Sequence, residues 1–337
     1  MSEPIHLAID AMGGDLGPRP VVSASISLLA AHPTLKLTLV GDKCQLGSLI
    51  ENSSSANSER LLCRHANDVV TMADLPGHAL RHKRQSSMWQ CLELVANDEA
   101  DGCVSGGNTG ALMALSRRLV GTIGDIKRPA ICKLVPTAGG KSLLLDLGAN
   151  LNCSPLQLCQ FAVMGAALAK VHGCQQPKVA LLNVGAETSK GVADIKVTAD
   201  LLRGSNDFTF AGFIEGHNLY SGDVDVVVCD GFVGNVALKV SEGVADFIFS
   251  DLKRRFASGF ISRLLFLIAA PVLRAWAERF NPAHYNGAAF LGLKKTVVKS
   301  HGGADHLGIQ KAILTAIEHV EAHIPHRIAL RLAGRSP

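Results

Sequence analysis

The residues best suited to chemistry fall in five short segments that join glycine to Asp, Asn, Ser or Lys. They are Asp10-Ala11-Met12-Gly13-Gly14-Asp15, Ser105-Gly106-Gly107-Asn108-Thr109-Gly110, and stretches 146–150, 185–191 and 230–235. Glycines at a helix start expose unpaired backbone N–H groups, and the helix dipole adds partial positive charge. The chemistry is anion binding, and a small phosphate suits it best. Gly107-Asn108-Thr109-Gly110 precedes a helical pattern over 111–120 and puts Asn108 or Thr109 at the cap. Lys190, after a strand-to-loop transition, adds a point charge. Familiar alternatives fail on spacing. Gly140-Lys141-Ser142 has Val135 where a P-loop needs its earlier glycine, no Gly-x-Gly-x-x-Gly follows the first strand, and no Gly-x-Ser-x-Gly elbow occurs.

Such loops need strands and helices to aim them. Apolar runs at 5–9, 35–40, 102–104, 130–135, 142–147, 178–183, 208–213 and 224–229 read as strands without polar alternation. Helical patterns at 87–97, 111–120, 155–171 and 192–202 lie between them. The alternation predicts an α/β fold with a mostly parallel sheet flanked by helices. The polar segments fall just past strand ends, where ligands bind in such folds, and are expected to converge along one edge.

Composition narrows the class. The chain has 337 residues, 47% hydrophobic and 18% charged, enough apolar material for a large core. No window reaches the roughly 18 to 20 apolar residues of a membrane span, and polar residues 1–4 predict no signal peptide. The nine cysteines form no Cys-x-x-Cys pair, and His78/His82 and His319/His323 lack the zinc-protease pattern, so no disulfide framework, metal or cofactor is expected. The net charge of +4 is carried by 251–280, which holds six basic and two acidic residues. A local patch with 5% aromatics argues against a nucleic-acid binder.

The segments AIDAMGGDLGP (8–18), VSGGNTGAL (104–112), LLDLGAN (144–150), NVGAETSKG (183–191), VCDGFVGNVALK (228–239), YNGAAFLGL (285–293) and SHGGAD (300–305) together resemble the acyl-ACP:phosphate acyltransferase (PlsX) family. Their order matches, over nearly the whole chain. Gly106 stands where many members have Ala, and Asn286 where many have Gly. The resemblance implies transfer of a long-chain acyl group from acyl carrier protein to inorganic phosphate, in a cytoplasmic homodimer with a fold similar to isocitrate and isopropylmalate dehydrogenases. The acyl phosphate would pass to a membrane glycerol-3-phosphate acyltransferase. Residues 1–330 would form one α/β catalytic domain, in two lobes around a cleft. A phosphate acetyltransferase acting on acyl-CoA and a noncatalytic membrane adaptor are the alternatives. A related dehydrogenase needs arginines for its substrate, and the five loops have none.

With that chemistry, Asn108, Thr109, Lys190 and Asn235 with neighbouring glycine amides are expected to contact phosphate or the oxyanion. Lys239 and His301 supply charge or a proton, and Asp10, Asp15, Asp146, Glu187 and Asp230 orient these donors. Gly13, Gly14, Ser105, Gly107, Asn150, Asn183, Gly231 and Gly234 complete the expected lining. Over 245–282, Leu252, Phe256, Phe260, Leu264 and Leu267 recur at helical spacing among Lys253, Arg254, Arg255 and Arg263. This predicts a protruding amphipathic helical tip that meets anionic lipid or the acidic carrier protein.

Overall fold

The computed structural model describes residues 4–51, 59–257, 259, 266, 269–273 and 282–334. Its strands are β1 (Ile5–Asp10), β2 (Leu35–Gly41), β3 (Leu61–His65), β4 (Gly102–Ser105), β5 (Ala130–Thr137), β6 (Gly140–Leu145), β7 (Lys178–Leu182), β8 (Thr209–Ile214), β9 (Val226–Val228), β10 (Ala288–Leu291) and β11 (Thr296–Lys299). Its α-helices are α1 (Pro18–Ala31), α2 (Lys43–Glu51), α3 (Pro76–His82), α4 (Ser87–Ala96), α5 (Thr109–Leu119), α6 (Pro155–Val171), α7 (Ala193–Leu202), α8 (Gly231–Ala257), α9 (His306–Glu321) and α10 (Ile324–Leu332).

The strands form one sheet in the order β3-β2-β1-β4-β11-β10-β5-β6-β9-β7-β8. Seven of the ten pairings are parallel, as the buried apolar runs predict. The exceptions sit together: β10 is antiparallel to β11 and β5, and β6 is antiparallel to β5. This central step reverses direction, so β1 and β4 point one way while β6, β7 and β9 point the other. The five loops therefore do not share one edge, which corrects the expectation from the alternation alone.

Side chains alternate between two cores. Leu7, Ile9, Leu143, Leu145, Val226 and Val228 pack on one face with residues of α1, α6, α9 and α10. Ala8, Ile131, Val135, Leu144 and Val227 pack on the other with α4, α5 and the inner side of α8. The period of two along each strand assigns these faces. Full burial of Phe161 or Leu7 contributes about 1.5–3 kcal/mol each. Local signals set the helix starts. Ser154 and Gln157 form a reciprocal capping box on α6, and Asp305 accepts from Gly308 at the head of α9.

Candidate functional site

The second core face opens into a cleft over the antiparallel centre of the sheet. Ile131 and Lys133, two residues apart on β5, form part of its floor. Thr109, Met113 and Arg117, at helical i, i+4, i+8 spacing, come from α5, while Asn235, Leu238, Lys239 and Glu242 come from α8. The central cavity, about 370 Å³, adds Asp15, Gly107, Lys299, Ser300 and His301. Thus the loops after β1, β4 and β11 supply one wall, and α8 supplies the facing one.

A buried carboxylate organises the first wall. Asp10 accepts from the hydroxyls of Ser87 and Ser105, both at 2.6 Å, and from the Met12 amide at 3.3 Å. Burial pushes its carboxyl up despite these hydrogen bonds and the charge of Lys299. Gly107 donates to Ser105 Oγ at 3.1 Å, and a Cβ at Gly13 would lie 2.7 Å from the Gly107 nitrogen. Only glycine at 13 lets the two loops close together. Gly14 lies against the Gly302 carbonyl, which accepts from the Asp15 amide at 2.8 Å. At the head of α5, the Asn108 side chain accepts from Ala111 N and donates to the carbonyls of Thr71, Met72 and Asp74. Asn108 therefore anchors a loop through its side chain. Thr109 faces the cleft and is exposed there.

Asp146 organises the opposite side. It accepts from the amides of Ile131 (2.8 Å), Ala149 (3.2 Å) and Asn150 (2.7 Å) and from Asn150 Nδ2 (2.9 Å). Burial again pushes the carboxyl up. The Asn150 carbonyl accepts from Gly231 N at 2.7 Å. Asp230 caps α8 through Val233 N at 2.9 Å, and a Cβ at Gly234 would collide with the Asp146 carbonyl. Asp146, Asn150, Asp230, Gly231 and Gly234 thus seat the start of α8 and, one and two turns on, Asn235 and Lys239. The nearby Cys153 thiol is pushed up to about 12 by burial and by Asp146, so it is protonated at neutral pH.

Cations dominate the centre. Lys299 Nζ donates to the carbonyls of Gly106 (2.9 Å) and Ser300 (2.6 Å). Burial pulls this ammonium down to about 8, helped by Lys239 and opposed by Asp10 and Asp15. Glu242 bridges Lys239 at 2.7 Å and Lys133 at 3.5 Å. Burial pushes the Glu242 carboxyl up, but the two lysines outweigh it and hold it below its ordinary value. Lys133 is itself pulled down, chiefly by burial. His301 Nδ1 accepts from Gly303 N at 3.1 Å, which leaves Nε2 to carry the proton of the neutral ring. Desolvation, then Lys239, holds this imidazole below its ordinary value. Asn286 fixes the loop by accepting from His301 N and donating to Ser300 Oγ and Gly308 O. Lys299, Lys133 and Glu242 were not foreseen; Lys299 directly precedes the SHGGAD segment, while Lys133 follows the β5 face period.

Not every expected residue comes to the cleft. Asn183 donates to the carbonyls of Gly185 and Lys190, folding loop 183–191 on itself, and Glu187 and Lys190 are exposed. None of these three lines the cleft cavities. At the tip, Lys253, Arg254 and Arg255 are exposed on α8, and Asp251 pairs with both arginines. Phe260, Arg263, Leu264 and Leu267 lie outside the described residues. Among the described residues no cluster of His, Cys, Asp and Glu fits a metal ion, and no helix is long and apolar enough to cross a membrane.

Two further cavities share walls with the centre. One, about 900 Å³, shares Thr109, Ile131, Leu147, Asn235 and Lys239 and continues along α5 to Arg117, Arg118 and Arg128. The other, about 660 Å³, shares Lys133, Leu238 and Glu242 and continues over Val135, Pro136, Val244, Ile248 and Phe249. The arrangement offers a cationic anion pole between an arginine-bearing cavity and an apolar groove.

The fold is similar to that of a phosphotransacetylase from Streptococcus pyogenes (TM-score 0.64, 16% identity, 96% of this chain and 94% of that one). A phosphotransacetylase from Staphylococcus aureus gives a TM-score of 0.60 at 16% identity over 94% of each chain. In sequence, the chain is 59% identical to a phosphate acyltransferase of Saccharophagus degradans, over 99% of this chain and 97% of that protein. It is 54% identical to one of Teredinibacter turnerae, over 98% and 99%. The family described as fatty acid synthesis protein matches residues 5–327. With near-complete coverage by both family and relatives, the chain belongs to this family and is a phosphate acyltransferase.

Proposed function

We propose that the enzyme transfers a long-chain acyl group from the thioester of acyl carrier protein to inorganic phosphate, giving acyl phosphate for phospholipid synthesis. The observation that carries this reading is the junction of the cationic centre with an apolar groove through Lys133, Leu238 and Glu242. Phosphate suits the pole of Lys239, Lys299, His301 and the amides heading α5, and an acyl chain suits the groove.

A phosphate oxygen attacks the thioester carbonyl carbon, a C–O bond forms and the C–S bond breaks. The proton brought by hydrogen phosphate ends on the thiol, so no net acid or base is consumed. The leaving thiol has a pKa near roughly 8.5 and needs little assistance. Positioning and charge stabilisation therefore supply the catalysis. Lys239 and the Nε2–H of His301 stabilise the developing oxyanion, while Lys299 holds the phosphate. Asp10 and Asp146 keep the two walls in register.

The same reading takes 1–330 as one catalytic unit working as a cytoplasmic homodimer. Its 245–282 tip rests on the inner face of an anionic membrane, where a glycerol-3-phosphate acyltransferase consumes the product. Thiol release from palmitoyl acyl carrier protein, with and without phosphate and with hydroxylamine trapping, tests the reaction. Phosphate-dependent release is expected. Phosphate-independent release means a thioesterase, and turnover of acetyl-CoA in preference means an acetyltransferase. Leu264→Glu with Phe260→Glu is expected to abolish sedimentation with anionic liposomes; unchanged sedimentation overturns the tip assignment.

A further inference from the structure

The arginine-bearing cavity has a feature that the transfer to phosphate does not use. On α5, Thr109, Met113 and Arg117 are spaced four residues apart, as are Gly110, Ala114 and Arg118, and all six line the cavity. Arg128, just before β5, completes the far end. Arg117, Arg118 and Arg128 are exposed, and no hydrogen bond or ion pair joins their side chains to the described residues. Among the described residues, no Asp or Glu lines this cavity. Three guanidinium groups with no counter-ion among the described residues, at one end of a walled channel, call for an anion, and Arg matches phosphate geometry well.

The channel also has a length. Eight residues of helix separate Thr109 from Arg117, which is about 12 Å at 1.5 Å per residue. The thiol arm shared by carrier proteins and coenzyme A is a phosphorylated pantetheine. Roughly a dozen bonds separate its sulfur from its phosphate, an extended reach of about 15 Å at backbone-like bond spacing. Between the two ends the channel is walled by Pro76, Leu80, Met113, Ile131 and Leu147, which suits the uncharged middle of such an arm.

We propose that Arg117, Arg118 and Arg128 form a second anion subsite that holds the phosphate of the donor's phosphopantetheine arm, laid along α5 with its thioester at the Thr109 end. This rests on the acyl-thioester reading above. The two cavities then hold two different phosphates: the acceptor at Lys299 and the donor's own at the arginines. The shared walls at Thr109, Asn235 and Lys239 are where the thioester carbonyl meets the acceptor.

The test compares octanoyl-phosphopantetheine, octanoyl-pantetheine without the phosphate, and octanoyl acyl carrier protein as donors. Arg117→Ala with Arg128→Ala is measured beside the milder single Arg128→Gln, with thermal midpoints to confirm folding. The double variant is expected to lose 10- to 100-fold in kcat/KM with the two phosphorylated donors, and Arg128→Gln about fivefold. The penalty should shrink to within twofold for octanoyl-pantetheine, and KM for inorganic phosphate should stay unchanged. An equal loss with both small donors overturns the subsite, as does a loss confined to the carrier protein, which would make the arginines a docking surface for its carboxylates. A raised KM for inorganic phosphate overturns it too, by moving the arginines to the acceptor. If wild-type enzyme turns over none of these donors, the acyl-thioester reading itself falls.

Discussion

Asp10, the last residue of β1, and Asp146, the first after β6, lie on opposite sides of the cleft, each buried and each with its carboxyl pushed up by burial. Their partners differ. Asp10 is held mainly by two serine hydroxyls, and the charge of Lys299 acts on it. Asp146 is held by three backbone amides and an Asn side chain, with no cation among its influences. Hydroxyls rotate to find other acceptors, whereas amides fixed in a loop do not. The first carboxylate is thus coupled to the charge of Lys299, and the second to the backbone. Two identical side chains in similar loops divide into one that tunes the site and one that builds it.

The largest expected effect follows from the second. Asp146→Ala strands the amides of Ile131, Ala149 and Asn150 inside the protein, at about 1–2 kcal/mol each. A loss of about 3–5 kcal/mol in unfolding free energy is expected in urea titrations, against about 1–2 kcal/mol for Asp10→Ala. Equal losses would erase the distinction.

Next comes the cation that Asp10 faces. Lys299→Ala is expected to raise KM for phosphate about 100-fold, through loss of a partly buried ammonium beside the anion. The carbonyls of Gly106 and Ser300 lose their donor, so a stability loss of about 1–3 kcal/mol should accompany it. A kcat loss at unchanged KM would assign Lys299 to the transition state alone.

The pH profile sharpens the coupling. Lys299 is protonated below about 8 and neutral above it, so phosphate affinity should fall as pH rises through that value. Asp10 and Asp15 raise this pKa, while burial and Lys239 lower it. Asp10→Asn removes one raising charge, so the break in KM for phosphate should move to lower pH. At pH 7.5 a rise in KM of about 1.5- to threefold is expected, the change in protonated Lys299 for a shift of about one-half to one pKa unit. A break that stays in place would show that Asp10 acts on geometry only.

How far the sequence reaches can be seen in these same residues. The apolar runs located β1, β2 and β4 to β9; most of these are buried on both faces and need uninterrupted hydrophobic residues, while β8 is an apolar strand at the sheet edge. β3 carries Arg64 and His65 at the sheet edge, β10 opens on two alanines between Gly287 and Gly292, and β11 sets Thr296, Val297 and Val298 between lysines, so none stands out as a strand. Glycine with Asx marked the loops correctly, because tight approaches such as Gly13 against Gly107 admit no side chain. Spacing could not reveal the reversal at β10, β5 and β6, because antiparallel pairing is a tertiary fact. Lys133 and Glu242 were hidden for a related reason. Each looks like an ordinary charge on its own element until β5 and α8 are brought face to face.

Loop 183–191 is the sharpest case of a local signal with a different placement. Its NVGAETSKG stretch carries the same residue types as the loop heading α5, yet it follows β7 and folds onto Asn183 rather than into its own chain's cleft. Lys190 stands exposed there, with no wall shared with Lys239 or Lys299. Lys190→Ala is therefore expected to be the mildest of these changes, about 1.5-fold or less in kcat/KM, since removing a solvated charge at a distance is largely screened. The comparison is with Lys299→Ala in the same assay. A matching 100-fold loss would mean that a second copy presents its loop to the cleft, and the site would then belong to the assembly. Mixing Lys190→Ala with Lys299→Ala chains separates the two: recovered activity requires a shared site, and its absence leaves each cleft complete within one chain.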